Sequence, residues 1–90
     1  MELTSFPNPF TESAIVRLQL EERTTVGVDV FALKGQKVAE LSSVRSLNPG
    51  IQDFAWDGRD FQGNDMAPGL YLVRVNGGKA GVASELLLKQ

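Results

Sequence analysis

The chain has no cysteine and no histidine. Without a thiol there is no disulfide framework, no thiolate metal site and no cysteine nucleophile, so stability has to come from packing. Without an imidazole, acid–base chemistry falls to carboxylates or lysine, and no serine lies in a Gly-x-Ser-x-Gly elbow. The eleven acidic residues offer carboxylate pairs, but nothing in their spacing marks a cleft. The expectation is a non-enzymatic protein with no cofactor. An excess of one charge is missing too: nine Lys and Arg stand against eleven Asp and Glu, a net charge of −2 spread without blocks. That removes the basic footprint nucleic-acid binding needs. No apolar run approaches the ~18 to 20 residues of a membrane span, so membrane insertion is not expected. Met1-Glu2-Leu3-Thr4 has neither the basic start nor the apolar core of a secretory peptide, which leaves a cytosolic protein or a segment excised from a longer one.

What is present is alternation. Ninety residues with 42% hydrophobic side chains support one domain spanning 1–90, since so short a chain cannot divide its core. Ala14, Val16, Leu18 and Leu20 alternate with Ile15, Arg17 and Gln19, the period of a strand with one buried face. Val26, Val28 and Val30 repeat the pattern after the charged corner Glu21-Glu22-Arg23. Leu33-Lys34-Gly35-Gln36 places a glycine between apolar runs, where a positive φ costs least, and predicts a hairpin into Val38–Leu41. Ser42-Ser43 and Asn48-Pro49-Gly50 break the signal, so 42–50 reads as a loop. Ile51–Trp56 resumes alternation and sends Phe54 and Trp56 to one side. Asp-Gly, Gly-Asn and Pro-Gly pairs then punctuate a long crossing over 57–68, which the Asp and Asn side chains should order by capping its turns. Leu70–Val75 supplies Tyr71, Val73 and Val75 to one face, Asn76-Gly77-Gly78 turns the chain, and Gly81–Lys89 is the last strand with Leu86 and Leu88 inward. Six or seven short strands with no amphipathic helix predict an all-β, immunoglobulin-like antiparallel β-sandwich. Residues 1–12 read as an extended, proline-rich lead-in.

Five stretches occur in a characteristic order: Phe6-Pro7-Asn8-Pro9-Phe10; Val16-Arg17-Leu18; Val30-Phe31-Ala32-Leu33-Lys34-Gly35-Gln36-Lys37-Val38; Trp56-Asp57-Gly58-Arg59-Asp60; and Gly69-Leu70-Tyr71-Leu72-Val73-Arg74-Val75. The chain as a whole resembles the C-terminal sorting domains of the type IX secretion system and the related immunoglobulin-like domain of flagellar hook-capping proteins. In the sorting family a Pro-Asn-Pro start, a Gly-x-Tyr strand and a final strand with a terminal lysine recur. Here they correspond to Pro7, Asn8 and Pro9, to Gly69 and Tyr71, and to Leu86, Leu88 and Lys89, the candidate recognition residues. The final strand departs from the common Lys-Phe-Val-x-Lys form, with Glu85-Leu86-Leu87-Leu88-Lys89 in its place. The resemblance implies a signal carried by an upstream cargo domain, read by an outer-membrane secretion translocon, with a sortase that in many such proteins removes the module. It implies passage through the periplasm, then the cell surface or release as a secreted protein. An exposed edge of the final hairpin would suit such reading by strand pairing. The hook-cap relatives imply the alternative, a structural module of an extracellular scaffold.

Each motif also has a plainer reading. Pro7-Asn8-Pro9 restricts its own φ angles and serves as a rigid lead-in that docks Phe6 or Phe10 on the sandwich. Asp57, Asp60, Asn64 and Asp65 could be an oxygen-rich calcium loop, but their spacing does not match the Asp-x-Asp-x-Asn-Gly pattern and turn capping accounts for them. Trp56, Tyr71 and most phenylalanines have inward parity, which favours core packing over a sugar platform and leaves Phe31 and Phe61 as the exposed exceptions. Arg17, Arg74 and Lys89 read as solvated strand faces.

Overall fold

The alternating segments find their partners in two facing layers. The computed structural model, which describes residues 1–90, contains seven strands: β1 (Glu2–Phe6), β2 (Ala14–Leu20), β3 (Thr24–Ala32), β4 (Lys37–Leu47), β5 (Gly50–Trp56), β6 (Gly69–Asn76) and β7 (Val82–Lys89). Strands β1-β2-β5 form one sheet and β4-β3-β6-β7 the other, all pairings within them antiparallel. This is the predicted immunoglobulin-like sandwich. Its core is built from the inward parity of each strand: Val16 and Leu18 from β2, Val26, Val28 and Val30 from β3, Val73 and Val75 from β6, and Leu87 from β7, all fully buried. Each such side chain contributes roughly 1.5 to 3 kcal/mol relative to exposure, which is how a chain without disulfides holds together.

Strand β4 corrects the loop expected over 42–50. It runs unbroken to Leu47, and its eleven residues lie opposite only Thr24–Phe31 of β3, because the register slips at three places. Val30 and Phe31 face Ala39 and Lys37, Val28 and Asp29 face Ser42 and Glu40, and Val26 and Val28 face Arg45 and Ser42. Each slip inserts an extra residue on β4 and shifts which side chains face inward, so the strand is real but its period-two signature is erased. Gly27 sits beneath one of these bulges: a Cβ there would stand 3.0 Å from a methyl of Val44.

The lead-in over 1–12 divides into two parts. Glu2–Phe6 is a strand, paired with Ile15–Gln19 and turning Leu3 toward the core. The Phe6-Pro7 and Asn8-Pro9 bonds are both cis. Phe10, not Phe6, is the aromatic that docks: it is buried, whereas Phe6 lies on the outer face under the guanidinium of Arg17, 4.8 Å from its ring centre.

The last strand overturns the expected parity. The turn after Asn76 contains a single turn of 3-10 helix, Gly78–Ala80, and brings Val82 opposite Asn76. From that register Tyr71 faces Leu87, and Gly69 faces Lys89. Leu87 and Lys89 therefore point inward, while Leu86 and Leu88 stand on the outer face, 49% and 37% exposed. A one-residue difference in turn length reverses every side chain of a strand, and the sequence of β7, apolar from Leu86 through Leu88, does not say which side is buried. Leu87→Ala is expected to cost about 2 to 5 kcal/mol in urea unfolding, and Leu86→Ala less than about 1 kcal/mol; the reverse order would mean that the opposite register is correct.

Candidate functional site at the C-terminal corner

The residues singled out in the sequence meet at one end of the sandwich. Strand β5 delivers Trp56 beside Ala14 of β2, and β6 begins with Gly69 so that Tyr71 enters the core two residues later. The Trp56 ring packs edge-on against Tyr71 with centres 5.1 Å apart, and Phe10 closes its other side at 5.6 Å. Buried aromatics with a polar atom need a partner for it. Trp56 Nε1 donates to the carbonyl of Arg59 at 3.0 Å, and the Tyr71 hydroxyl donates to the carbonyl of Ala67. The second bond is a tyrosine corner, in which the first residues of a strand tie back to the corner leading into it.

The crossing over 57–68 is ordered by its own side chains. Asp57 Oδ1 accepts the amide of Arg59 at 3.0 Å, and Asp60 Oδ1 accepts the amides of Gln62 and Asn64, both at 2.9 Å. The backbone closes a second turn through Met66 N–H to Gly58 O at 2.9 Å. Hydrogen bonds from the Asn64 backbone, then from Gln62, hold the Asp60 carboxyl below its ordinary range. These residues include those weighed as a calcium loop; Asp57 and Asp60 are committed to turn amides and Asp65 to the Lys89 ammonium, and no three acidic groups converge on a common point.

Lys89, like Leu86 and Leu88, lies on the opposite side of β7 from the one its sequence suggested. Read as a solvated strand residue, it is only 4% exposed. Its stem passes over Gly58, and its ammonium donates to Gly58 O at 3.3 Å, to Asp65 Oδ1 at 2.8 Å and to Met66 O. The three donors of a lysine are matched by three oxygens of the crossing. The Asp65 carboxyl, itself exposed, is held below its ordinary range chiefly by that bond and then by the lysine's charge. Gly58 makes the room: it has φ +75, and a Cβ there would lie 2.8 Å from Lys89 Cε. Asp57-Gly58 was readable as a turn, but nothing in the sequence joined it to a lysine thirty-one positions later.

The Pro7–Phe10 segment lies along the outer edge of β7. Asn8 Nδ2 donates to Leu86 O at 2.9 Å, and Leu88 N–H donates to Asn8 Oδ1 at 3.0 Å, so one side-chain amide pairs with the strand as a peptide group would. Phe10 N–H donates to Leu88 O at 2.9 Å, and Gln90 N–H to Phe10 O at 2.8 Å. The edge is thus occupied from Leu86 O onward. Pro7, Asn8, Pro9, Gly69, Tyr71, Leu86, Leu88 and Lys89 all fall in this corner, in two layers: Tyr71 and Lys89 inside, the leucines and prolines outside. Leu88 lies directly opposite Leu70 and Leu86 opposite Leu72, an outward apolar patch completed by Phe31 beside Leu72. The largest surface depression, about 580 Å³, is at the other end, between Glu22–Thr25 and Asn76–Ala80.

A three-on-four antiparallel sandwich with a tyrosine corner defines an immunoglobulin-like module. The model of the FlgD Ig-like domain family matches residues 7–81, and the chain belongs to that family. No curated protein matches it. Among solved structures, FlgD of Xanthomonas campestris, described for hook capping in flagellar assembly, is 30% identical, with a TM-score of 0.64 over 93% of this chain and 60% of that one. Two proteins of Porphyromonas gingivalis share the fold: PorZ, a surface component of the type IX secretion system, at 19% identity and TM-score 0.69, and latent, dimeric PorU, at 22% and 0.70. The chain covers 11% of PorZ and 9% of PorU, and is itself covered to 98% and 97%.

Lys89→Met keeps the stem but strips the carbonyls of Gly58 and Met66 of their donor, an expected loss of about 1 to 3 kcal/mol; Gly58→Ala should cost about as much, and less in a chain that already carries Lys89→Ala, which a double-mutant cycle in urea would measure. Asp60 and Asp65 titrate lower folded than the ordinary 3.8, so their contribution is complete above that value and lost as pH falls through the depressed ones. The melting temperature should therefore fall as the pH drops below about 4, and fall less steeply in Asp60→Ala.

Proposed function

We propose that this chain is a non-enzymatic sorting module that directs an attached cargo protein through the type IX secretion system to the cell surface or outside, by way of the periplasm. The observation that carries the reading is the convergence of the Pro-Asn-Pro, Gly-x-Tyr and terminal-lysine motifs on one corner that presents Leu70, Leu86 and Leu88 outward. Buried positions hold the corner in shape, and exposed ones are left for a partner. The partner is an outer-membrane translocon, followed by a sortase where the module is removed. Pairing with the edge of β7 would use Val82 to Leu86, because the bonds of Asn8 and Phe10 occupy the remainder. The exposed leucines beside that open stretch would supply apolar contact.

A second reading is favoured by the family match and by the 30% identity to a hook-capping protein: a structural module within an extracellular scaffold. The two differ in what the outer face of β6 and β7 does. Deleting Glu85–Gln90 is a poor test, since it removes Leu87 and Lys89 from the interior. The double variant Leu86→Ser, Leu88→Ser spares the core and should melt cooperatively. Fused behind a periplasmic reporter in a bacterium with type IX secretion, the unaltered chain should bring the reporter to the surface or medium. The double variant should reduce that by about tenfold or more, given what two apolar contacts contribute to affinity. Undiminished export of the folded variant would overturn recognition at this face, and a wild-type fusion retained in the periplasm would shift the conclusion to the scaffold module.

A further inference from the structure

We propose that β5 is a docking edge for a partner protein, taking up an extended segment that is apolar on one side and carries Lys or Arg at its ends. Two open sheets have four edge strands, here β1, β5, β4 and β7, and each offers a row of peptide groups that a foreign strand can pair with. Three of them are covered, shortened or broken. β7 is covered from Leu86 onward by Asn8 and Phe10. β1 has only five residues and runs into Pro7, which has no N–H to give. β4 slips register three times and carries Lys37 and Arg45, devices that discourage pairing. β5 has none of these. It pairs with β2 without a slip, from Ala14 opposite Trp56 to Leu20 opposite Gly50. Residues 50–56 include no lysine, arginine or proline, and their one charge, Asp53, is matched by a bidentate pair with Arg17, both bonds 2.9 Å long.

The space beside this edge determines what fills it. A cleft of about 480 Å³ lies where β5 ends, between Ala55 and Trp56 on one side and Ala39 and Leu41 of β4 on the other, and Phe61 of the crossing, 63% exposed, stands in its wall. A strand added to β5 turns alternate side chains the way Phe54 and Trp56 turn, so its inward residues enter this apolar space. The rim has the opposite character. Glu40, Asp57 and Asp60 line it. Glu40 is shared with Lys37, but neither Asp57 nor Asp60 has a cation within ion-pair distance, and their Oδ1 atoms accept only backbone amides. Arg59, also in the wall, lies opposite Asp65 and spends its charge on that carboxylate. Two uncompensated carboxylates beside an exposed ring select a cation, which can rest on the ring face while it meets the acids. A second copy of the chain is the poorer occupant, because the antiparallel register that pairs all seven residues of two β5 strands sets Asp53 against Asp53. The edge lies beside β4, on the side of the sandwich away from β1 and β7, and is independent of the sorting and scaffold readings.

The probe is the peptide acetyl-Lys-Val-Thr-Val-Thr-Val-Lys-amide, titrated into the folded chain at low salt. Trp56, the sole tryptophan and the last residue of β5, reports by its fluorescence, and the backbone amides report by NMR. Saturable binding is expected, with the largest amide shifts over residues 50–56 and those of Val82–Leu86 unmoved. Alternate residues of a strand send their N–H groups to the same neighbour, so N-methylating either the valines or the threonines and lysines blocks one edge of the peptide. One pattern should weaken binding about tenfold or more and the other less than about threefold. Exchanging both lysines for glutamate should weaken it about tenfold or more. In the chain, Asp57→Asn combined with Asp60→Asn keeps the Oδ1 turn caps and removes the charges; this variant should melt cooperatively, bind about three to ten times more weakly and lose salt dependence. Phe61→Ala, at an exposed position, should weaken binding by about the same factor. No saturable binding at millimolar peptide, equal binding of the glutamate peptide, equal effects of the two methylation patterns, or shifts centred on β7 would overturn the proposal. So would a dimer in sedimentation velocity that engages residues 50–56 without peptide, which would assign the edge to a second copy.

Discussion

The structure depends on a buried ammonium. Lys89 lies at the end of the last strand, yet its charge sits inside, and a charge in that position is tolerated only when oxygens surround it. The oxygens come from Gly58, Asp65 and Met66, all in a crossing that has no regular secondary structure. The crossing thereby gains a fixed path, and the last strand gains a fixed register. With β7 in that register, Leu87 completes the core under Tyr71, and Leu86 and Leu88 are committed to the outside. The same register presents Leu88 N–H and Leu86 O to Asn8, which is how the start of the chain is joined to its end.

This arrangement separates stability from display. The interior is sealed by three aromatic rings and a row of valines, and every polar atom the aromatics bring with them has a backbone partner. The outer face of β6 and β7 carries leucines that contribute little to the sandwich itself. Apolar side chains held in water by a register that cannot slip form a contiguous patch, the kind of surface that marks an interaction site. The surface pairs Arg17 with Asp53 and Lys37 with Asp29 lie elsewhere and are too exposed to shape the corner.

Much of the fold was legible because alternation survives wherever a strand has one wet face. The valines of β3 and β6 and the aliphatic residues of β2 were placed inside by parity alone, and Trp56 and Tyr71 followed. The strand at 42–47 was hidden by its bulges, since each extra residue reverses the phase that the reading relies on. The parity of β7 was hidden for a different reason: Leu86, Leu87 and Leu88 are equally apolar, and the choice among them is made by the geometry of the Asn76–Val82 turn. Of the corner, the turn chemistry of Asp57-Gly58 and Asp60 was readable locally, whereas the lysine beneath it and the Asn8 bridge were not.

Local chemistry therefore determined the class of fold, the segments that become strands and the turns that separate them, because those follow from spacing between neighbours in the chain. Tertiary structure alone decided which side of the final strand faces in, that Lys89 is buried, and that Asn8 completes the edge of β7. These rest on contacts between residues far apart in sequence, such as Asn8 with Leu86 and Gly58 with Lys89, whose pairing exists only once two sheets have closed on each other.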